Sequence, residues 1–299
     1  VDATAAVLAL VAAVLFALAA ALWQRASLQV PGGLSFSSPA SVWRMASNRL
    51  WLLGLGAQVA GVLLQAAALD RGRVSIIQPL LVTSIVFALP IGHWMTGQRI
   101  TRRLVVGAAL TVAGLAVFGV FGDPAAGLDD APAADWAMAI VVIVAVCAAL
   151  LLFSRRGTLT ARAALLGTLA GVLYGLSATL MKPVVEAVHA DGLEAVLTGW
   201  QFWVMAVAGL VGFAYQQLSL STGRLVPSVA SVSVANPVVS VILGALVLRE
   251  TLDRTPEWHA VLGLAGLGLA LFGAMVIASK EDDGPVPAGA PPDAAAAEA

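Results

Sequence analysis

Gly114-Leu-Ala-Val-Phe-Gly119 returns near the end of the chain as Gly268-Leu-Ala-Leu-Phe-Gly273. Two further pairs align in the same order. Residues 13–23 match residues 171–181, with Val14, Leu15, Phe16 and Leu18 against Val172, Leu173, Tyr174 and Leu176. Residues 65–73 match residues 216–224, from Gln65 and Gln216 down to the turns Gly72-Arg73 and Gly223-Arg224. Apolar helices rich in Gly and Ala can align by chance, but turn residues are not apolar filler. A repeat of membrane helices is the usual mark of a carrier that rocks around a central site.

The composition is that of a chain built for a bilayer. Hydrophobic residues make up 60% of the 299 positions and charged residues 11%, less than half the charged share usual in soluble domains. Apolar runs of about twenty residues recur, each long enough to cross about 30 Å of hydrocarbon. Nine spans are expected, over residues 4–23, 50–69, 74–95, 104–121, 136–153, 163–181, 200–220, 225–248 and 258–279. The first has no basic segment before it and matches the sixth, so it reads as a span and not as a cleavable signal peptide. The 182–199 connection has room for a short interfacial helix. The tail 280–299, rich in Pro, Ala and acidic residues, cannot span a membrane and reads as disordered and cytoplasmic.

Matching spans lie five apart, an odd number. Two four-span units must then sit upside down relative to each other, with the fifth span as connector. The expected fold is all-α and polytopic: a first repeat over 1–122, a connector over 123–161, an inverted repeat over 162–279 and the tail. Lys and Arg fix the orientation. The odd-numbered connections and the tail hold eleven of them against five on the other side. That places the N-terminus outside and the C-terminus inside, in the plasma (inner) membrane.

Hydrogen-bonding groups at mid-depth are the candidate site. Asn236-Pro237 sits inside the eighth span, where proline frees a carbonyl one turn earlier, beside Ser231 and Ser233. Thr83 and Ser84 lie at similar depth in the third span, between Pro79 and Pro90. Pro79, Pro90 and Pro237 are candidate kinks for paired gating helices. Gln58 and Gln65 share a face of the second span, and an amide at midplane needs a partner. Tyr174 and Ser177 lie one turn apart in the sixth span. Gln58, Thr83, Ser84, Tyr174, Ser177, Ser233 and Asn236 form the expected solute site. Each also has a plainer reading as helix glue or core packing. Gln216 and Gln217 fit an interfacial belt equally well, and Lys182 fits a snorkelling lysine.

The sequence also excludes. No Asp or Glu falls within an expected span, so proton coupling and divalent binding lack their usual carboxylates. The lone Cys147 rules out a disulfide. No metal site, cofactor or nucleic-acid partner is expected; the partners are the bilayer and a small solute, with a homodimer left open. An enzyme is not expected: Gly175-Leu176-Ser177 with His259 as a distant base is a poor intramembrane-hydrolase motif. A non-transporting membrane scaffold is the remaining rival.

Several short motifs together resemble the drug/metabolite transporter superfamily in its EamA-like and NIPA-like branches. They are Gln65-Ala-Ala-Ala-Leu69, Gly72-Arg73, Gly97-Gln98-Arg99-Ile100-Thr101, Leu104-Val-Val-Gly107 and Leu248-Arg249-Glu250-Thr251-Leu252. The last is similar to the superfamily's L-x-E-x-L helix exit; in the first half Gln98 replaces its Glu. Leu22-Trp23-Gln24-Arg25 and Lys182 look most like the NIPA-like branch. The resemblance implies an integral membrane transporter moving a metabolite or drug-like solute by alternating access, or alternatively a magnesium or other divalent-cation pathway. In this alignment Gln58 stands where the magnesium-associated branch carries a glutamate.

Overall fold

The structure, a computed structural model, describes residues 3–29, 39–71, 80–96, 99–121, 128, 130–156, 158–249 and 258–278. Among them the chain is all-helical, with ten helices: α1 (Ala3–Leu28), α2 (Pro39–Ala46), α3 (Arg49–Arg71), α4 (Ser84–Thr96), α5 (Arg102–Phe121), α6 (Ala133–Ser154), α7 (Leu159–Thr198), α8 (Trp200–Leu220), α9 (Leu225–Leu246) and α10 (Trp258–Ala278). Seven are long and apolar enough to cross a membrane: α1, α5, α6, α7, α8, α9 and α10. The expected second and third spans are apolar over the shorter stretches Arg49–Gln65 and Leu80–Met95. In the third, Thr83 forms a turn between residues 80–82 and α4.

Two features depart from the expectations. The 24–49 connection contains α2, whose Pro39 fits a first helical position. It buries Met45 and Ser41 and exposes Trp43, as a helix lying along the interface does. The 182–199 segment first continues the sixth span past its expected end, and a second, short helical stretch follows the kink at Gly192. Helix α7 runs through Pro183 and bends at Gly192, whose φ of 80° and ψ of −171° are open to glycine without strain. Pro79, the Gly72-Arg73 turn, Gln98, Glu250 and the 280–299 tail lie outside the described residues.

Small residues let the helices approach closely. Gly167, Gly171 and Gly175 recur every four residues down α7. A Cβ on Gly171 would lie 2.6 Å from Ala235 Cβ and 2.9 Å from the Val232 carbonyl of α9, and one on Gly175 2.9 Å from the Asn236 carbonyl. The corresponding stripe of α1 is Ala5, Ala9, Ala13 and Ala17, all fully buried. Helix α5 meets α10 through Gly107 and Gly114 on one side and Gly266 and Gly273 on the other. Lipid supplies no hydrophobic force between helices, so such backbone contacts carry the association. Helix α1 packs along α3 and α4, and α7 along α8 and α9. Helix α6 packs mainly on α7 at the periphery, leaving Met138, Val141, Val144 and Phe153 exposed, as suits a face turned to lipid.

Helix ends are set locally. Asn48 accepts the Leu50 amide at 2.8 Å and donates to the Gln29 side chain at 3.0 Å, joining the start of α3 to the end of α1. Helix α8 stops at Ser221-Thr222-Gly223, where Gly223 takes a φ of 81°. This turn brings the start of α9 back against α1: Leu220 and Leu225 share one buried cluster with Ala17, Ala20 and Trp23.

Candidate functional site

A cavity of about 820 Å³ lies between α1, α3, α4, α5, α7, α8 and α9. That is within the range of small-molecule sites. Helices α6 and α10 give it no lining residue. Its polar wall consists of Gln58 and Gln65 from α3, Ser84 from α4, Tyr174, Thr179 and Lys182 from α7, Gln216 from α8, and Ser233, Asn236 and Ser240 from α9. Phe16, Trp23, Phe118 and Tyr174 supply aromatic surface. Among the described lining residues no side chain is a carboxylate, and Lys182 is the one cation. The wall is therefore mainly amide, hydroxyl and aromatic.

The hydrogen bonds of the wall are few. Tyr174 Oη donates to Gln216 Oε1 at 2.7 Å, linking α7 to α8. Thr179 Oγ1 donates to the Gly175 carbonyl at 2.8 Å, and Ser240 Oγ donates to the same carbonyl at 3.4 Å. Lys182 Nζ donates to the Leu128 carbonyl at 2.8 Å. Gln58, Ser233 and Asn236 take no part in these bonds.

Of the residues singled out from the sequence, Gln58, Ser84, Tyr174, Ser233, Asn236 and Pro237 line this cavity. Thr83, Ser177 and Pro90 do not. The Thr83 hydroxyl donates to the Leu80 carbonyl inside its own turn. Ser177 Oγ donates to the Met205 carbonyl at 3.1 Å and ties α7 to α8. Pro90 lies within α4. In each helix a polar side chain had a local or interhelical carbonyl within reach, which sequence spacing does not reveal. Gln216, Thr179 and Ser240 were not singled out as site residues. For Gln216 the signal was present: its repeat partner Gln65 lines the same cavity.

One end of the cavity borders an aromatic cluster. Trp23, Trp51 and Phe213 form a cluster, with ring centroids 5.3 Å apart for Trp23 and Phe213 and 6.4 Å for Trp51 and Phe213. Trp23 Nε1 donates to the Trp51 carbonyl at 3.1 Å, and Trp51 Nε1 donates to Gln217 Oε1 at 3.3 Å. Gln24 beside them is wholly buried. This is the end where α1 and α8 finish and α3 and α9 begin. From Trp23 and Gln216 the lining continues to Lys182 and Leu248 at the opposite end.

Ser177 is engaged with Met205, and His259 on α10 packs edge-on against Phe121 and Trp258.

The helices and their cavity define a multi-pass membrane protein of a kind that fits a transporter. Over 263 residues the chain is 31% identical to an uncharacterized protein of Corynebacterium glutamicum, covering 85% of this chain and 90% of that one. The chain belongs to the same family as that bacterial protein. It is also 26% identical over 250 residues to the probable magnesium transporter NIPA9 of Arabidopsis thaliana, covering 79% of this chain and 71% of that one. No family model matches the chain, and no solved structure matches it significantly.

Proposed function

We propose that this protein is a carrier of the drug/metabolite transporter superfamily, in its EamA-like and NIPA-like branches, moving a small polar organic solute by alternating access. The observation that carries this reading is the cavity itself. It is large, lined by amide and hydroxyl groups with aromatic patches and Lys182 as the one cation among its described residues, and bordered at one end by an aromatic cluster. A scaffold with no solute would be expected to fill such a space with side chains.

The inverted repeat is part of the proposal, with units over 1–122 and 162–279 and a connector over 123–161. Packing supports it: α1 on α3 and α4 corresponds to α7 on α8 and α9, and α6 is peripheral, as a connector can be. Gly114 meets Gly266 and Ala270, the residues either side of its aligned partner Gly268, as a twofold axis between α5 and α10 would require. Phe16 faces Gly61 and the aligned Tyr174 faces Gly212.

The proposal extends to a gate at the Trp23 end. Trp23, Trp51 and Phe213 align with Met181, Phe202 and Val62. Met181 and Val62 are 54% and 49% exposed where Trp23 is packed. Two like halves in unlike packing are what a carrier caught facing one side should have. Exchange of the two arrangements would open the Trp23 end. To test this, a cysteine replaces Gln217 in a Cys147→Ala background, and labelling by an impermeant thiol reagent is followed from the α1 C-terminal side. Labelling should quicken severalfold when a transported solute is present, and an unchanged rate would sink the gate.

The basic end is taken as cytoplasmic. Cysteines in 24–49, 96–103 and 154–162 should resist impermeant reagents in intact cells, and labelling in two of the three loops would reverse the orientation.

A magnesium pathway is the second reading, favoured by the similarity to the Arabidopsis protein. Magnesium parts with its water reluctantly and is usually held by one or two carboxylates; the described lining residues offer none. Uptake into vesicles holding the purified protein, with magnesium set against a panel of amino acids and amines, separates the two. Magnesium uptake with no organic uptake would overturn the primary reading.

A further inference from the structure

We propose that the main-chain carbonyl of Ser233 and the side chain of Asn236 form an acceptor site for the ammonium group of the solute. The proposal rests on the reading of this cavity as solute-binding and names the chemistry of one end of that solute.

The argument begins with Pro237, inside α9. Proline has no N–H, so the carbonyl four residues earlier, that of Ser233, loses its helical donor. At membrane depth a carbonyl without a partner is costly, and such backbone is tolerated where it lines a cavity. Ser233 and Pro237 both line the cavity, with Asn236 and Ser240 beside them. The freed carbonyl lies on that stripe of α9. It has further acceptors beside it: the Asn236 amide oxygen and the hydroxyl oxygens of Ser233 and Ser240, groups that can each also donate. The Ser240 hydrogen is directed to the Gly175 carbonyl at 3.4 Å, which leaves its oxygen lone pairs for another donor.

A ligand for this group must bring hydrogen-bond donors, and a charged donor makes the stronger bond to such acceptors. A primary ammonium brings three N–H donors on one small cation. Aromatic faces favour such a group, and Phe16 and Tyr174 line the same cavity. A bare divalent ion would give up far more hydration than carbonyl and amide oxygens of this number return.

The test uses the full-length protein purified in detergent, with n-butylammonium chloride as probe and thermal unfolding as readout. Sodium chloride at equal ionic strength and n-butanol are the comparators. Butylammonium should stabilise the protein saturably, and the comparators should not. Pro237→Ala restores a donor to the Ser233 carbonyl and should raise the half-saturating concentration about tenfold, the effect of roughly one hydrogen bond to a charged group. Asn236→Asp adds a charge opposite the ammonium and should lower it about tenfold; this variant still decides the matter if Pro237→Ala does not fold. Pro90→Ala, which alters a proline away from the cavity, should leave it unchanged. Equal stabilisation by sodium, an unshifted Pro237→Ala or an untightened Asn236→Asp overturns the site. Amine binding without any uptake in vesicles would defeat the carrier reading alone. Uptake confined to solutes without an amine would defeat the ammonium site alone.

Discussion

Gly114→Ala is expected to destabilise the protein by about 3 kcal/mol, at the upper end of what one added methyl costs in a tight core. The new Cβ would lie 2.4 Å from the Ala270 nitrogen and 2.5 Å from the Gly266 carbonyl oxygen. Both are main-chain atoms of the facing helix, so no rotamer change relieves the clash. Helices α5 and α10 must separate, and the close contacts that hold them together in lipid are lost. Gly268→Ala is the matched control. It changes the aligned glycine of the repeat, but its Cβ would meet nothing within 4 Å, so its effect should stay within about 0.5 kcal/mol. Thermal or detergent unfolding of the two variants checks this. Equal stability of the pair would mean that α5 and α10 do not meet through Gly114.

The second large effect is on transport. Asn236→Ala and Tyr174→Ala should each lower solute uptake about tenfold, a loss of about 1.4 kcal/mol, with expression and membrane insertion close to wild type. Asn236 precedes Pro237 within α9 and lines the cavity. Tyr174 holds Gln216 in place through its 2.7 Å hydrogen bond and gives the cavity an aromatic face. Tyr174→Phe should fall between, because it keeps the ring but leaves Gln216 Oε1 without that donor. If both alanine variants take up solute at the wild-type rate in vesicles where the wild type is active, the cavity is not the solute site.

Sequence spacing reached much of the architecture because the bilayer is a severe solvent. It demands apolar runs of set length and satisfied backbone, and both are legible in a one-dimensional chain. It was less informative wherever a helix departed from regularity. The turn at Thr83 lies in a segment whose composition alone does not mark it, whereas the bend at Gly192 falls on Asp191-Gly192, a dipeptide that favours turns. The short helix α2 left only Pro39 and an amphipathic octet as its signature.

For the site the divide runs through individual residues. Gln58, Tyr174, Ser233 and Asn236 could be picked out because a polar group at mid-span demands a reason. Ser177 and Thr83 met the same criterion, yet their hydroxyls are taken by the Met205 and Leu80 carbonyls. Gln216 looked like part of an interfacial belt until the fold set it against Tyr174.

The sequence by itself determined that this chain is helical and lives in a membrane. It determined that its stretches recur in order, and that its mid-span polar groups are amides and hydroxyls without carboxylates. Those facts follow from local chemistry and period, which need no neighbours. The tertiary structure decided which polar groups share a cavity and which are consumed in helix contacts. It also decided that Trp23, Trp51 and Phe213 meet in one aromatic cluster. A helix has several faces of similar composition, and only the approach of glycine and alanine stripes on its neighbours selects the one that looks inward.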